Sequence, residues 1–220
     1  MNSTWEVERT TQGARRQAAW VLGRAFQDEQ VSIAVYRHLS PEKRLKNLVV
    51  DFSAELEVCA RRGAPLHICQ AGQVVAAAVI YPPGTYPLPK REELWLLLRT
   101  TLGHAFYDVR FCLGGARLWL RWLAAAGAHH PREPHYFLEY LGVEPGFQGR
   151  GLGSAILRRL AVDADTAGVG CYLETATPRN LPLYQRFGFR VFAQQEIIGV
   201  PAWFLWRPAS PAPAGHASKD

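Results

Sequence analysis

Three glycines and an arginine fall within five residues of the run Gln148-Gly149-Arg150-Gly151-Leu152-Gly153, and a helical pattern begins there with Ser154 inside it. Glycine lets backbone N–H groups approach a ligand closely, and the first turn of a helix offers unpaired N–H groups with partial positive charge. Such a loop suits a pyrophosphate, with Arg150 adding a charged contact. Its spacing departs from a Walker loop and from the dinucleotide G-x-G-x-x-G. A plain strand–turn–helix junction would need one glycine, so three favour a ligand. Tyr184 follows Asn180 by four residues on a helical stretch, which puts both on one face. The same pair would also serve as a half-buried core tyrosine and an N-cap asparagine. Glu139 stands in Tyr136-Phe137-Leu138-Glu139-Tyr140-Leu141, where strand alternation places Phe137, Glu139 and Leu141 together. Apolar neighbours would raise its carboxyl toward the range of a useful base, unless an arginine pairs with it. Glu174, in Leu173-Glu174-Thr175, is a second carboxylate beside the same sheet.

The elements that must position these groups follow from periodicity. Helical stripes run over 15–27 and 44–61, and Gly63-Ala64-Pro65 ends the second. Runs at 66–70 and 73–81, joined by Ala71-Gly72, read as a hairpin. Residues 91–126 are helical, with Leu94, Leu97, Leu98, Thr101, Leu102 and Ala105 on one stripe and a break expected near Gly114-Gly115. A strand over 135–143, a helix over 152–168 closed by Gly168 and a strand over 169–176 follow. A short helix over 180–187 closed by Gly188 and strands near 189–197 and 201–207 complete the pattern. The sum is an α/β fold with a mixed sheet flanked by helices, one domain over 1–207 with a helical insertion at about 90–127. The Pro/Ala/Ser tail over 208–220 lacks apolar periodicity and is expected to be disordered.

Hydrophobic residues make up 48% of the chain, enough for a sizeable core, and 25 basic against 19 acidic residues give a net charge of +6. No Lys/Arg block forms a nucleic-acid stripe, so the excess points to a phosphorylated small molecule or an ordinary basic surface. Cys59, Cys69, Cys112 and Cys171 never form C-x-x-C and fit a reducing cytoplasm. No secretory leader is evident, and the Leu/Trp-rich stretches are too short to cross a bilayer. His129, His130 and His135 lack an acidic or cysteine partner at fixed spacing, so they read as a turn motif and no metal is expected. Trp119 and Trp122, taken as exposed, and the strand near 201–207, taken as an edge, are candidate dimer surfaces. Monomer and homodimer both stay open.

Val143-x-Pro145-x-x-Gln148-Gly149-Arg150-Gly151-x-Gly153 resembles the acetyl-CoA signature of the GCN5-related N-acetyltransferases. Leu173-Glu174-Thr175-x-x-Pro178-Arg179-Asn180-Leu181-Pro182-x-Tyr184-x-x-Phe187-Gly188-Phe189 is similar to the C-terminal part of that family's core. His130-Pro131-x-x-Pro134 resembles a small-molecule branch that includes puromycin N-acetyltransferase. The resemblance implies acetyl-CoA as cosubstrate, bound by the backbone of Gln148, Gly149, Arg150, Gly151, Leu152, Gly153 and Ser154. It also implies a central strand that splays near Leu141, Gly142 and Val143 to pair with the pantetheine arm. Asn180 would bond that arm, and Tyr184 would be the general acid for the thiolate; a phenol of pKa about 10 can protonate the anion of a thiol near 8.5. Glu139 is the candidate base. The insertion would lie between the third and fourth strands, over the acceptor site or merely packed on the sheet. The reaction implied is direct acetyl transfer to a primary amine of a small molecule, an antibiotic or aminonucleoside among the options. A protein or peptide acceptor and a non-catalytic acyl-CoA sensor are the alternatives.

Overall fold

The computed structural model describes residues 5–107 and 111–210. The strands are β1 (Glu8–Arg9), β2 (Leu66–Gln70), β3 (Gln73–Tyr81), β4 (His135–Val143), β5 (Gly170–Thr175), β6 (Arg190–Ile197) and β7 (Val200–Arg207). They form one mixed sheet in the order β1-β2-β3-β4-β5-β7-β6, antiparallel except for the β4–β5 pair. From Val74 to Tyr81 every residue of β3 is buried, because helices cover both faces.

One face carries α1 (Gln12–Phe26), α2 (Gln30–Val35) and α3 (Pro41–Arg62); α6 (Leu152–Thr166) and α7 (Leu181–Arg186) cover the other. Helix α3 begins where Ser40 Oγ accepts from Lys43 N at 3.4 Å and Pro41 takes the first turn. It stops at Gly63, whose N–H donates to Cys59 O. Its Leu56 is fully buried against the sheet, a burial worth about 1.5–3 kcal/mol. Neither β1, two residues long, nor α2, six residues long, was expected from sequence, since neither spans enough residues to display a period.

Helices α4 (Lys90–Tyr107) and α5 (Phe111–Gly127) lie between β3 and β4. The expected break at Gly114-Gly115 is corrected: α5 runs through both glycines. Glycine costs a helix only about 1 kcal/mol, which tertiary packing overrides; Trp122 and Ala126 of α5 are buried in the core. Helix α4 is tied to α3 by Glu92, 2.9 Å from Arg61 Nη2 and 3.6 Å from Arg62 Nε. His104 Nε2 lies 2.8 Å from Asp51 Oδ1, and the same carboxylate accepts the Tyr36 hydroxyl. The leucine stripe of α4 does not pack on the sheet, for Leu94, Leu97, Leu98 and Leu102 are all more than half exposed.

Two surface expectations are also corrected. Trp122 is buried and Trp119 half-buried, and β7 lies inside the sheet between β5 and β6, leaving β6 as the edge. Arg207 closes this end of the sheet by forking onto Asp165 at 2.8 and 2.7 Å, and Ser210 N donates to the same carboxylate. The rest of the expected disordered tail, from 211 onward, lies outside the described residues.

Candidate active site

The central parallel pair is only half zipped. Strands β4 and β5 pair from His135↔Gly170 to Leu138↔Leu173 and no further, although β4 continues to Val143 and β5 to Thr175. On its other side β4 stays paired with β3 up to Val143↔Ala76. The strands therefore part after Leu138, and the backbone of Leu141, Gly142 and Val143 takes no partner from β5. Gly142 also lets α1 close on β4, since a Cβ there would meet Leu22 Cδ2 at 2.9 Å and Ala25 Cβ at 3.0 Å.

The glycine loop stands at the mouth of this gap. After β4, Glu144 is clamped by Arg24 of α1, whose Nε and Nη2 each donate at 2.7 Å. A 3-10 turn at Pro145–Phe147 then leads into the loop. Gly149 and Gly151 have φ of 76° and 85°, a left-handed conformation that glycine adopts without strain. Gly151 is the N-cap of α6 and no side chain caps the helix, so the first turn keeps donors and partial positive charge for an anion. Gln148, Gly149, Gly151, Leu152, Gly153 and Ser154 line one large cavity of about 1340 Å³. Leu152 does so by its backbone, its side chain being buried beneath α6. Gln148 Nε2 donates to Val143 O at 3.3 Å. Arg150 is placed differently from expectation. Its guanidinium sits over Phe147, 4.8 Å from the ring centre, and it lines a separate groove of about 540 Å³ with Arg24 and Glu144.

Across the gap, Asn180 and Tyr184 line the same large cavity. Asn180 occupies the N-cap position of α7 but makes no side-chain cap bond, so its amide is not committed to capping. Tyr184 is buried beside Phe189. Burial, and then the nearby Glu29 carboxylate, raise its pKa, so the phenol stays protonated at neutral pH.

Glu139 corrects the expected alternation. Val79 pairs with Tyr140 but Ile80 pairs with Leu138, so Glu139 is an extra residue in β4, a β-bulge. Phe137 and Tyr140 consequently pack on the α1/α3 side, while Leu138 and Leu141 pack on the α6 side. Glu139 lines the cavity with its Oε2 buried and without a hydrogen-bond partner. Burial, and then Glu55 and Glu174, push its carboxyl well above the usual range. Glu174 accepts the Tyr172 hydroxyl at 2.9 Å and is raised to about 7, chiefly by burial.

A model of the acetyltransferase (GNAT) family matches residues 34–189 of the chain. The chain belongs to the GNAT acetyltransferases. Solved structures of the same fold include a histone acetyltransferase and related acetyltransferase from Corynebacterium glutamicum. It is 21% identical, covers 96% of this chain and 99% of its own, and superposes with a TM-score of 0.67. Drosophila melanogaster polyamine N-acetyltransferase is 16% identical, covering 92% and 99%, with a TM-score of 0.62. Escherichia coli ribosomal-protein-S18-alanine N-acetyltransferase is 14% identical, covering 96% and 97%, with a TM-score of 0.52. At these identities the likeness is one of fold.

GNAT enzymes use acetyl-CoA, and the residues here fit it: an uncapped helix start over left-handed glycines, a strand edge without a partner, and a buried phenol on the facing wall. The rest of the cavity holds groups that sequence did not mark. Glu29, the N-cap of α2, whose carboxylate accepts from Thr177 Oγ1 at 2.6 Å, and Asp51 and Glu55 of α3 all line it. No spacing rule could have found them, because each acquires meaning only when α2 and α3 fold over β4. His130 and His135 stand 3.2 Å apart by their Nε2 atoms inside an aromatic box of Tyr86, Phe137 and Tyr172. Burial, and then His135, lower the pKa of His130 to about 4. Among the described residues no group of three or more His, Cys, Asp or Glu is arranged to hold a metal, and no helix is long and apolar enough to cross a membrane.

Proposed function

We propose that this GNAT enzyme, acting as one domain over 1–207 in the cytoplasm, acetylates a primary amine of a small molecule by direct transfer. The observation that carries the reading is the gap between β4 and β5, with an uncapped glycine turn at its mouth and Tyr184 in its wall. Acetyl-CoA supplies the activated acyl group when bound. The backbone from Gln148 to Ser154 would hold its pyrophosphate, Arg150 reaching it from the adjoining groove. Leu141, Gly142 and Val143 would pair with the pantetheine arm beside Asn180. Glu139, raised by burial, takes a proton from the acceptor ammonium, directly or through water, and the free amine then attacks the thioester carbonyl to form the N–C bond, its excess proton leaving to solvent. Tyr184 gives its hydroxyl proton to the departing sulfur and recovers one from solvent.

Support for a small acceptor comes from α4 and α5, whose Leu97, Thr101, Trp119 and Trp122 line the cavity and close it over the sheet. An open peptide groove would favour a protein acceptor instead. The His130-Pro131-x-x-Pro134 motif supports a place near the puromycin-type branch, with an antibiotic or aminonucleoside amine as acceptor. Thiol release from acetyl-CoA against puromycin, aminoglycosides, polyamines, amino acids and short peptides tests this. Turnover of a small amine is expected; turnover of peptides alone would replace the acceptor class, and coenzyme binding without any turnover would indicate a sensor.

A further inference from the structure

The chain carries net charge +6, yet the cavity is lined by Glu29, Asp51, Glu55, Glu93, Glu139 and Glu174 against only Lys90, Arg179 and Arg186. Arg179 and Arg186 belong to the Asn180/Tyr184 side, and Lys90 is an exposed residue at the start of α4. Several of these acids have partners. Asp51 is engaged by His104 and Tyr36, Glu29 by Thr177 and Glu174 by Tyr172. Glu55 and Glu139 differ. Glu55 is only 9% exposed, and both residues bury an Oε2 that no protein donor meets. A buried carboxyl oxygen without a donor is costly, so burial keeps the group protonated, and an ammonium placed beside it would match its ionised form. The titratable groups that face Glu55 are Asp51 and Cys59 of α3, Tyr81 of β3, Glu139 and Tyr140 of β4, and Tyr86. None of them is cationic, and among the described residues His104, which lines the same cavity, is engaged with Asp51.

We infer that the acceptor carries a second positive charge: one amino group is acetylated beside Glu139, and a distal ammonium is held by Glu55. The inference rests on the small-molecule amine reading above and specifies its substrate class as diamines. Aromatic and apolar side chains of Phe26, Phe52, Tyr86, Phe137 and Tyr140 surround the two carboxylates, which suits an alkyl or aryl body between the charges. Glu55 is then a specificity residue, touching substrate without entering the proton transfers.

The test compares putrescine, cadaverine and 1,6-diaminohexane with butylamine, pentylamine and hexylamine, in wild type and Glu55→Gln. Each diamine is expected to have the lower KM, and Glu55→Gln to raise that KM about tenfold more than it changes the KM of the matching monoamine, as for loss of one charged hydrogen bond. Equal use of both series, or a preference that survives Glu55→Gln, overturns the inference while the acetyltransfer reading stands. Calorimetry on wild type gives a second readout that needs neither the variant nor turnover. Glu55, raised to about 8 by burial and then Asp51, must lose its proton when an ammonium binds. Heats measured at pH 7 in buffers of different ionisation enthalpy are expected to report more proton release for diamines than for the matching monoamines. Absence of diamine binding, or binding without that excess release, overturns the inference even if every amine fails as a substrate.

Discussion

At the scale of single residues, the mechanism proposed above divides proton handling between two groups whose environments act on them in the same direction for different ends. Burial raises both Tyr184 and Glu139. For the phenol this secures the proton it must donate; for the carboxylate it creates affinity for the proton it must accept. Tyr184→Phe is expected to lower kcat about 10²-fold, the lower range for general acid catalysis, with little change in coenzyme affinity. An unaltered kcat would remove Tyr184 from the reaction. Glu139 acts only when ionised, and its raised pKa puts the acidic limb of the wild-type pH–rate profile above the ordinary glutamate range. Activity should fall as pH drops through that limb, and Glu139→Gln should lose the limb and about 10²-fold in rate. A variant profile that keeps the limb would assign the base elsewhere, Glu174 at about 7 being next in place. Both residues were legible in sequence, but the side on which Glu139 presents itself was not, since one extra residue in β4 inverts a period-2 reading.

At the scale of elements, α3 contributes more than its apolar stripe. Its Phe52, Leu56 and Cys59 seal the sheet, while Asp51 and Glu55 turn toward the cavity. This arrangement costs stability in a pH-dependent way. Glu55 has a pKa near 8 in the folded chain and about 4.3 when unfolded, so the folded state binds the proton more tightly. Stability is therefore greatest below the unfolded value and falls as pH rises through the folded one. Wild-type Tm is expected to decline between pH 5 and pH 9, and Glu55→Gln to flatten the decline and exceed wild type at the alkaline end. Glu139 acts in the same direction, so the variant removes part of the slope. Parallel curves for the two proteins would show that Glu55 is not held protonated. The glycine turn follows the opposite logic: its glycine spacing was readable from sequence, and Gly149 and Gly151 adopt their left-handed conformation with no tertiary neighbour against them.

At the scale of the whole molecule, two structural regions meet in one cavity. The sheet, α6 and α7 line one part of it, proposed as the coenzyme side, and α2 to α5 line the part proposed as the acceptor side. Trp119 of α5 lies on the acceptor side, half-buried and distant in sequence from the glycine turn. Trp119→Ala is expected to raise acceptor KM roughly five- to thirtyfold, for loss of ~1–2 kcal/mol of apolar contact, and to leave coenzyme affinity unchanged. Equal losses for both ligands, read from acceptor kinetics and a coenzyme titration, would mean that the insertion braces the sheet instead. Only half of this division is visible in sequence: the coenzyme half uses short, ordered blocks, and the acceptor half is assembled from four separate helices.

Sequence by itself determined what depends on local chemistry. The strands from 66 to 81, the 135–143 strand, the glycine turn and the Asn180/Tyr184 pair all rest on near-neighbour periodicity or backbone conformation, and each lies where spacing placed it. Tertiary structure decided what depends on distance. It parted β4 from β5 after Leu138, bulged the strand at Glu139, folded Arg150 onto Phe147 and buried Trp122. It also brought Glu55, eighty-four residues before Glu139, to the same cavity wall. A buried carboxylate with no cation beside it leaves no mark on periodicity or composition, because its meaning lies in what the folded chain fails to provide and a substrate can.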